Sequence, residues 1–267
     1  MRNVKFVVAA GAILLMSNAA FAADFPIAPP PYIPPIQDFG GWYLRGDIGM
    51  TNQQLKSLDS AASPLITSQS GLGFDSSTLF GVGVGYQFNN WFRADVIGQW
   101  RGKANFHGSQ TIDNGGTHLA DNYTGSKSEA LFLVNAYADL GTWWCITPFI
   151  GAGVGTSYNT ITGFRDDGLS SGAPSVTYFA DHGQWNFAWA AHAGLAYKFS
   201  PSLTMELAYS YVNLGNAAPG NFSAYDGSAS GPTSIRFKDI TSHDIKLGVR
   251  WAIDPMPVYQ PPLVTKG

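Results

Sequence analysis

The sequence predicts an all-β chain that forms an eight-stranded antiparallel transmembrane β-barrel with four long extracellular loops. Three observations support this: apolar residues alternate with small or polar ones, ionisable residues keep to the small-residue face, and long connections alternate with short ones. The length of 267 residues suffices for one such barrel. A charged fraction of 12%, an aromatic fraction of 14% and a mean hydropathy of -0.02 fit apolar surface spread over short strands.

The chain begins with the parts of a secretory signal peptide. Arg2 and Lys5 give a basic start, eleven apolar residues follow, and a small-x-small motif ends at Ala22. Eleven apolar residues are too few to span a hydrocarbon core roughly 30 Å thick. We therefore expect residues 1–22 to be cleaved off between Ala22 and Ala23, which changes the formal net charge from -3 to -5.

Proline-rich segments flank the predicted barrel. The prolines of residues 23–40 forbid helix and central strand, so we expect a periplasmic leader in polyproline II conformation. The barrel is predicted at residues 41–252, and a second proline-rich segment, residues 253–267, forms a C-terminal tail. The net negative charge argues against nucleic acid as a partner, and the single Cys145 excludes an intrachain disulfide.

The first four predicted strands carry charge on one face only. Residues 42–50 place an arginine and an aspartate opposite an apolar face, and residues 80–88 alternate aromatic or aliphatic residues with small ones, mostly glycine. Residues 92–101 place three charges on one face, and residues 130–140 place one aspartate opposite apolar residues. Each segment therefore has an apolar face and a small or charged face.

The last four predicted strands repeat this pattern. Residues 150–155 alternate aliphatic residues with glycine, and residues 185–199 have only apolar residues at their odd positions. Residues 203–211 place one glutamate opposite an apolar face, and residues 244–251 place three charges opposite another. Aromatic residues cluster at both strand ends, as they do in the girdles at membrane interfaces.

The charged faces of the strands distinguish a membrane barrel from a soluble one. If these faces line the inside, the apolar faces surround the molecule and lipid is their solvent, whereas a lipocalin-like barrel has the inverse pattern. Because an eight-stranded barrel is about filled by its own side chains, the mixed charges are predicted to pair into a plug. The predicted lumen charge network comprises Arg45, Asp47, Arg93, Asp95, Arg101, Asp139, Lys198, Glu206, Lys246 and Arg250.

The connections complete the predicted topology. Polar segments at residues 51–76, 102–128, 159–183 and 214–240 are expected to be long loops, each of roughly 25 residues. They alternate with turns of roughly two to six residues. Outer-membrane barrels place long loops outside and short turns in the periplasm, which predicts that both termini are periplasmic.

Signals for catalysis or for bound cofactors are weak. A G-x-S-x-G match at residues 168–172 lies in a polar loop and lacks the strand and helix that a nucleophile elbow needs. His107, His118 and His182 fall in predicted loops and are weak candidates for binding haem or a metal, since no close spacing supports a preformed site. We expect no enzymatic activity and no cofactor or resident metal.

Residues 39–49, 135–144, 147–155 and 242–251 form four motifs. They resemble the small outer-membrane β-barrel family of alphaproteobacteria, which is similar in fold to the OmpA and OmpX barrel. Members are described as surface antigens or porin-like proteins, and some as haemin binders. Such barrels commonly end on the aromatic residue that the assembly machinery reads, whereas this chain continues beyond Trp251.

The expected role is structural and surface-related: envelope integrity and loop-mediated interaction in a Gram-negative outer membrane. One alternative is a narrow porin that passes small solutes, and a second is haem or metal binding by the external loops. The expected partners are outer-membrane lipid, the barrel-assembly machinery and an extracellular ligand held by the loops.

Overall fold

The computed structural model describes residues 40–60, 63–169 and 174–253. The predicted signal peptide with its Ala22–Ala23 cleavage site lies outside the described residues, as do the leader and the tail except for Gly40 and Ile253 at their borders. Among the residues described, no helix is long and apolar enough to cross a membrane.

The described residues form antiparallel β-sheet with one 3-10 turn at Ser63–Leu65. Thirteen strands are present within these ranges. They are β1 Gly41–Gln54, β2 Ser57–Asp59, β3 Ile66–Phe74, β4 Ser77–Gln87, β5 Phe92–Asn114, β6 Thr117–Asp139, β7 Ile146–Leu169, β8 Pro174–Phe179, β9 His182–Lys198, β10 Leu203–Ala217, β11 Phe222–Ala224, β12 Ser230–Gly231 and β13 Arg236–Ala252.

Eight of these strands close into a ring. Each pairs with two antiparallel neighbours in the order β1, β4, β5, β6, β7, β9, β10, β13 and back to β1. The closing pair runs from Tyr43 opposite Ala252 to Gln54 opposite Thr241. Closure leaves no free strand edge in the ring, and it confirms the predicted eight-stranded antiparallel barrel.

The two ends of the barrel differ in their connections. One end, here named the turn end, has the short connections 88–91, 140–145 and 199–202. The opposite end, here named the loop end, joins β5 to β6 through Gly115 and Gly116, whose φ values of 63° and 90° suit a tight two-residue hairpin.

The four predicted long loops are largely β-sheet, which corrects that expectation. β5, β6 and β7 have 23, 23 and 24 residues instead of about ten. The five strands outside the ring extend the sheet further, since β2 pairs with β13, β3 with β5, β8 with β7, β11 with β8 and β12 with β11. These segments are ordered because their inward side chains form a second core and their backbone groups pair within the sheet. The described residues of the four segments 51–76, 102–128, 159–183 and 214–240 are here named the loop-end extension.

Bulges change which side chains face inward as the strands enter the loop-end extension. Arg101 and Ala104 are both buried, and the two residues between them oppose only Ser128 of β6. A second bulge on β7 contains Gly163, whose φ of 58° is in the left-handed region. Both bulges shift the alternation by one residue and turn Phe106 and Phe164 to the inside.

An aromatic core fills the inside of the loop-end extension. The rings of Phe106 and Phe237 are 4.9 Å apart, and those of Phe164 and Phe237 are 5.6 Å apart. Tyr123 stacks on Phe164 at 5.8 Å, and Phe74 lies 5.2 Å from Phe106. Such pairs add about 0.5–1.5 kcal/mol each beyond burial, so they stabilise the extension.

The outer surface of the ring is apolar between the turn end and the loop-end extension. Within this height, every ring strand has large hydrophobic side chains that are exposed, such as Val134 at 57% and Ile245 at 63%. Exposed aromatic residues surround both ends of the ring, with Trp251 near the turn end and Trp185 near the loop end. A continuous apolar belt of this kind needs lipid as its solvent.

Candidate functional site: the barrel interior and the loop end

A first cluster of paired charges fills the turn-end half of the interior. Arg45 Nη1 donates to Asp95 Oδ2 at 2.7 Å, and its Nη2 donates to Asp47 Oδ1 at 2.9 Å. Glu206 Oε2 accepts from the same Nη2 at 3.3 Å. These four side chains are buried. They meet because β1, β5 and β10 each point alternate residues inward.

Glu206 links this cluster to two further arginines. Its Oε1 lies 2.6 Å from Arg250 Nε and 3.2 Å from Arg93 Nη2, distances of ion pairs without hydrogen-bond geometry. Arg93 also donates to Asp139 Oδ1 at 3.2 Å, and its guanidinium lies 4.2 Å from the centre of the Tyr137 ring. Arg93 is fully buried, so removing a partner would leave an uncompensated charge.

A second charged cluster lies closer to the loop end. Arg101 Nη2 donates to Asp244 Oδ2 at 2.6 Å, and its Nε is within 3.4 Å of Glu129 Oε1. Lys127 pairs with Glu129 and donates to Gln53 Oε1 at 2.9 Å. Every side chain of this cluster is buried.

Three residues of the second cluster are absent from the predicted network. Lys127 lies in the predicted loop of residues 102–128, and Glu129 lies between that loop and the strand predicted from residue 130. Both continue the inward alternation of β6 by two more steps. Asp244 was on the inner face of the last predicted strand but was left out of the network. For Lys127 and Glu129, the signal in the sequence is alternation that continues on the N-terminal side of residue 130.

Nine of the ten predicted network residues lie inside the barrel, and Lys198 does not. Lys198 is exposed because it is the last residue of β9, where the barrel opens to solvent at the turn end. It borders a cavity of about 260 Å³ that Asp139 and Arg250 also line. Among the described residues it forms no salt bridge.

The two charged clusters are balanced in charge. Together with Lys246, which is also buried, they comprise six cations and six anions. The cations are Arg45, Arg93, Arg101, Lys127, Lys246 and Arg250, and the anions are Asp47, Asp95, Glu129, Asp139, Glu206 and Asp244.

His192, on β9, connects side chains of β10 and β6 beside the first cluster. Its Nδ1 is 2.7 Å from Ser210 Oγ and its Nε2 is 3.1 Å from Asn135 Oδ1. Asn135 Nδ2 donates in turn to Asp95 Oδ1 at 2.8 Å. Both ring nitrogens of His192 therefore have partners, which suits a structural role in the network.

The three candidate loop histidines are not brought together. His107 and His182 are exposed, and they lie on β5 and β9, three strands apart or about 14 Å. The register places His118 opposite Asp113, six residues or about 20 Å along β5 from His107. Within the described parts of the chain, no group of three His, Cys, Asp or Glu residues could hold a metal ion.

A pair of acidic residues lies inside the tip of the loop-end extension. Burial, together with the nearby carboxylates of Asp121 and Asp167, raises the pKa of Asp166 to about 7. Burial also raises the pKa of Asp121. The hydroxyl of Tyr123 donates to Gln110 Oε1 at 3.1 Å beside this pair.

The G-x-S-x-G match does not lie in a nucleophile elbow. Gly168 is on β7 and pairs with Ser175 of β8, so the segment joins two antiparallel strands. A nucleophile elbow joins a strand to a helix. Residues 170–172 of the match lie outside the described residues.

Comparison with known proteins identifies the family of this chain. An uncharacterised protein of Brucella abortus is 29% identical over 272 residues, which cover 88% of this chain and 93% of that protein. A Rickettsia bellii protein named "Putative adhesin" is 29% identical over 219 residues, covering 79% and 88%. The outer membrane protein PagN of Salmonella typhimurium is 26% identical over 233 residues, covering 79% and 90%.

A family model described as "Outer membrane protein beta-barrel domain" matches residues 8–252. The resemblance inferred from the strand motifs is thereby confirmed, and family membership implies the outer membrane as the location. The chain belongs to the outer membrane protein beta-barrel domain family.

Proposed function

We propose that this chain is a non-enzymatic surface protein of the outer membrane, in which the barrel is an anchor and the loop-end extension binds an external partner. The observation that carries the proposal is the contrast between a sealed interior and an ordered sheet beyond the membrane belt. Two charged clusters and an aromatic core occupy the interior in succession. The extension offers a rigid, exposed surface of the kind that binding proteins use.

The exposed tip of the extension carries aromatic residues that suit recognition. Tyr178 on β8 is 46% exposed, and Tyr225, between β11 and β12, is 77% exposed. The tip is ordered, since Ala224 N donates to Ala229 O at 2.9 Å and Ser228 N donates to Asp226 Oδ1 at 2.9 Å. Tyrosine supplies large contact area at low conformational cost, so these two rings are the proposed anchors.

The orientation in the membrane is part of the proposal. The loop end would face the exterior and both termini the periplasm, as in barrels with short periplasmic turns. Outer-membrane lipid would surround the apolar belt, and the assembly machinery would insert the chain. The relative named "Putative adhesin" supports an adhesive role for the extension.

The structure favours this role over the two alternatives. A narrow porin needs a continuous water path, whereas the lumen is filled by paired charges and by buried residues such as Ile97 and Leu133. A haem or metal site in the loops needs convergent ligands, whereas His107 and His182 are far apart.

Bacterial display tests the proposed adhesive role. Cells of a non-adherent host strain that display the chain should attach to cultured animal cells, and the double variant Tyr178→Ala, Tyr225→Ala should lose most of that attachment. Trp144→Ala is the matched control, because Trp144 is also an exposed aromatic residue but lies at the turn end. Attachment no better than that of the empty host, or equal loss in the control, would contradict the proposal.

A further inference from the structure

The outer wall of the barrel is indented at the seam between its first and last strands. A groove of about 820 Å³ lies next to the loop end, walled by Met50, Phe80, Trp100 and Ile245. A second groove of about 710 Å³ lies next to it towards the turn end. The two share Ile48, Phe80 and Leu247, so they form one continuous furrow, here named the seam groove.

Small residues create the indentation. Gly46 and Gly102 line the groove without a side chain, and a Cβ atom built on Gly102 would lie 3.3 Å from Thr78 Oγ1. The walls, in contrast, are large apolar side chains that are more than half exposed, such as Met50 at 61% and Phe80 at 57%. The groove is continuous with the lipid-facing belt, so a hydrocarbon chain is its natural filling.

The length of the groove matches one leaflet of a bilayer. Its lining on β1 runs from Gly46 to Asn52, which is about 20 Å along the strand. At the strand tilt of about 35–45° found in such barrels, this corresponds to about 15 Å of depth. That depth is half of a hydrocarbon core roughly 30 Å thick, so one acyl chain of the leaflet at the loop end fits the groove.

The end of the groove nearest the loops is polar. Asn52 Nδ2 donates to Ser76 Oγ at 3.4 Å, and Asn52 is directly opposite His243 of β13. His243 Nδ1 is 2.6 Å from the hydroxyl of Tyr209. Amide, hydroxyl and imidazole groups thus stand where an acyl chain would join its headgroup.

A cation lies beside this polar rim. Gly102 and Lys103 fall between the inward residues Arg101 and Ala104, so both are on the outer side of β5. Lys103 is exposed and forms no salt bridge among the described residues, whereas Lys56 and Lys238 of the extension each pair with an aspartate. Lys103 is therefore available to a phosphate group at the level of the rim.

We propose that the seam groove binds an acylated, phosphate-bearing glycolipid of the outer leaflet, with one acyl chain in the groove and a phosphate on Lys103. The hydroxyl and amide groups of the rim suit a sugar headgroup. This inference rests on the proposed function in one respect, because it needs the loop end to face the exterior.

Native mass spectrometry of the full chain in detergent tests the inference with lipid A as the probe. Thr78→Phe fills the groove from an exposed outer position and should weaken lipid A binding roughly tenfold. Lys103→Gln should weaken it roughly threefold. Neither variant should change binding of phosphatidylethanolamine as strongly. Folding is checked by the heat-dependent shift on a denaturing gel.

Two matched controls define the outcomes. Val154→Phe enlarges an outer residue of β7, away from the groove, and Arg236→Gln removes an exposed cation of the extension; both should bind lipid A like the parent chain. Equal binding by parent and Thr78→Phe, or equal loss in Val154→Phe, would overturn the inference. A dimer that Thr78→Phe abolishes would also overturn it and assign the groove to a second copy. If the parent chain binds lipid A but cells that display it attach no better than the empty host, only the proposed function is overturned.

Discussion

At the scale of single residues, Glu206 holds three arginines that come from three other strands. Arg45, Arg93 and Arg250 all lie within 3.3 Å of its carboxylate oxygens. Such a cluster is stable only while every partner is present, because a lone buried charge is costly. The interior is therefore sensitive to the loss of any one of these charges.

Replacing Arg93 with leucine should destabilise the barrel. The change leaves Asp139 and Glu206 without one cation and removes the guanidinium that lies 4.2 Å from the Tyr137 ring centre. Breaking a buried pair costs about 3–5 kcal/mol, so the urea midpoint of unfolding should fall clearly. Arg165→Leu is the control: its pair with Asp167 is partly exposed, and the expected change is at most about 1 kcal/mol. Equal midpoints for Arg93→Leu and the parent would refute the paired plug.

Asp166 should make the loop-end extension less stable as the pH rises. Its pKa of about 7 in the folded chain is above the ordinary value of 3.8, so the folded form binds more protons between these values. The stabilising contribution is fully present below about pH 4 and is lost as the pH rises through 7. Protease cleavage of the extension should therefore be faster at pH 8 than at pH 5.

The Asp166→Asn variant should remove most of this pH dependence. Asp226→Asn should leave it intact, because Asp226 is exposed and its pKa is lowered by hydrogen bonds to Ser228. The same pH profile in parent and Asp166→Asn would show that another group is responsible.

At the scale of elements, the eight ring strands could be predicted from alternation alone, whereas most of the loop-end extension could not. Alternation with a period of two survives along residues 42–50 or 203–211 because nothing interrupts those strands. The bulges near Lys103 and Gly163 shift the inward positions by one residue, so strands that continue through them lose the pattern. The Gly115-Gly116 dipeptide is a sequence signal for a tight hairpin, although it lies within a segment predicted to be a loop.

The candidate site shows the same limits. Arg45, Asp47, Arg93 and Asp95 could be found because they alternate with apolar neighbours inside uninterrupted strands. Their pairing across strands could not be found, because the register depends on how the ring closes. The apolar core of the extension could not be found either, since Phe106 and Phe164 follow the shifted alternation that each bulge introduces.

Gly163→Ala should loosen the β6–β7 part of the extension. No atom lies within 4 Å of a Cβ built on Gly163, so the cost comes only from its φ of 58° and should be about 1–2 kcal/mol. Hydrogen exchange of the backbone around Phe164 should accelerate. Gly73→Ala is the matched control, because its Cβ is equally unobstructed and its φ is not in the left-handed region. Acceleration of the same size in Gly73→Ala would show that the bulge is not responsible.

At the scale of the whole molecule, the fold separates three environments. A lipid-facing apolar belt surrounds an interior of six cations and six anions, and beyond the belt the sheet continues around an aromatic core. Because the charges of the two clusters are paired and balanced, they can stabilise the barrel. In the proposed function, the surface of the extension is the part of the molecule that meets a partner.

Single-channel conductance of the folded protein in a planar bilayer tests this account most directly. With folding confirmed by the heat-dependent gel shift, the account predicts a silent bilayer, both for the parent chain and for the Tyr178→Ala, Tyr225→Ala variant. Reproducible conductance steps with a defined ion selectivity would contradict it. They would make the paired charges the lining of a pore.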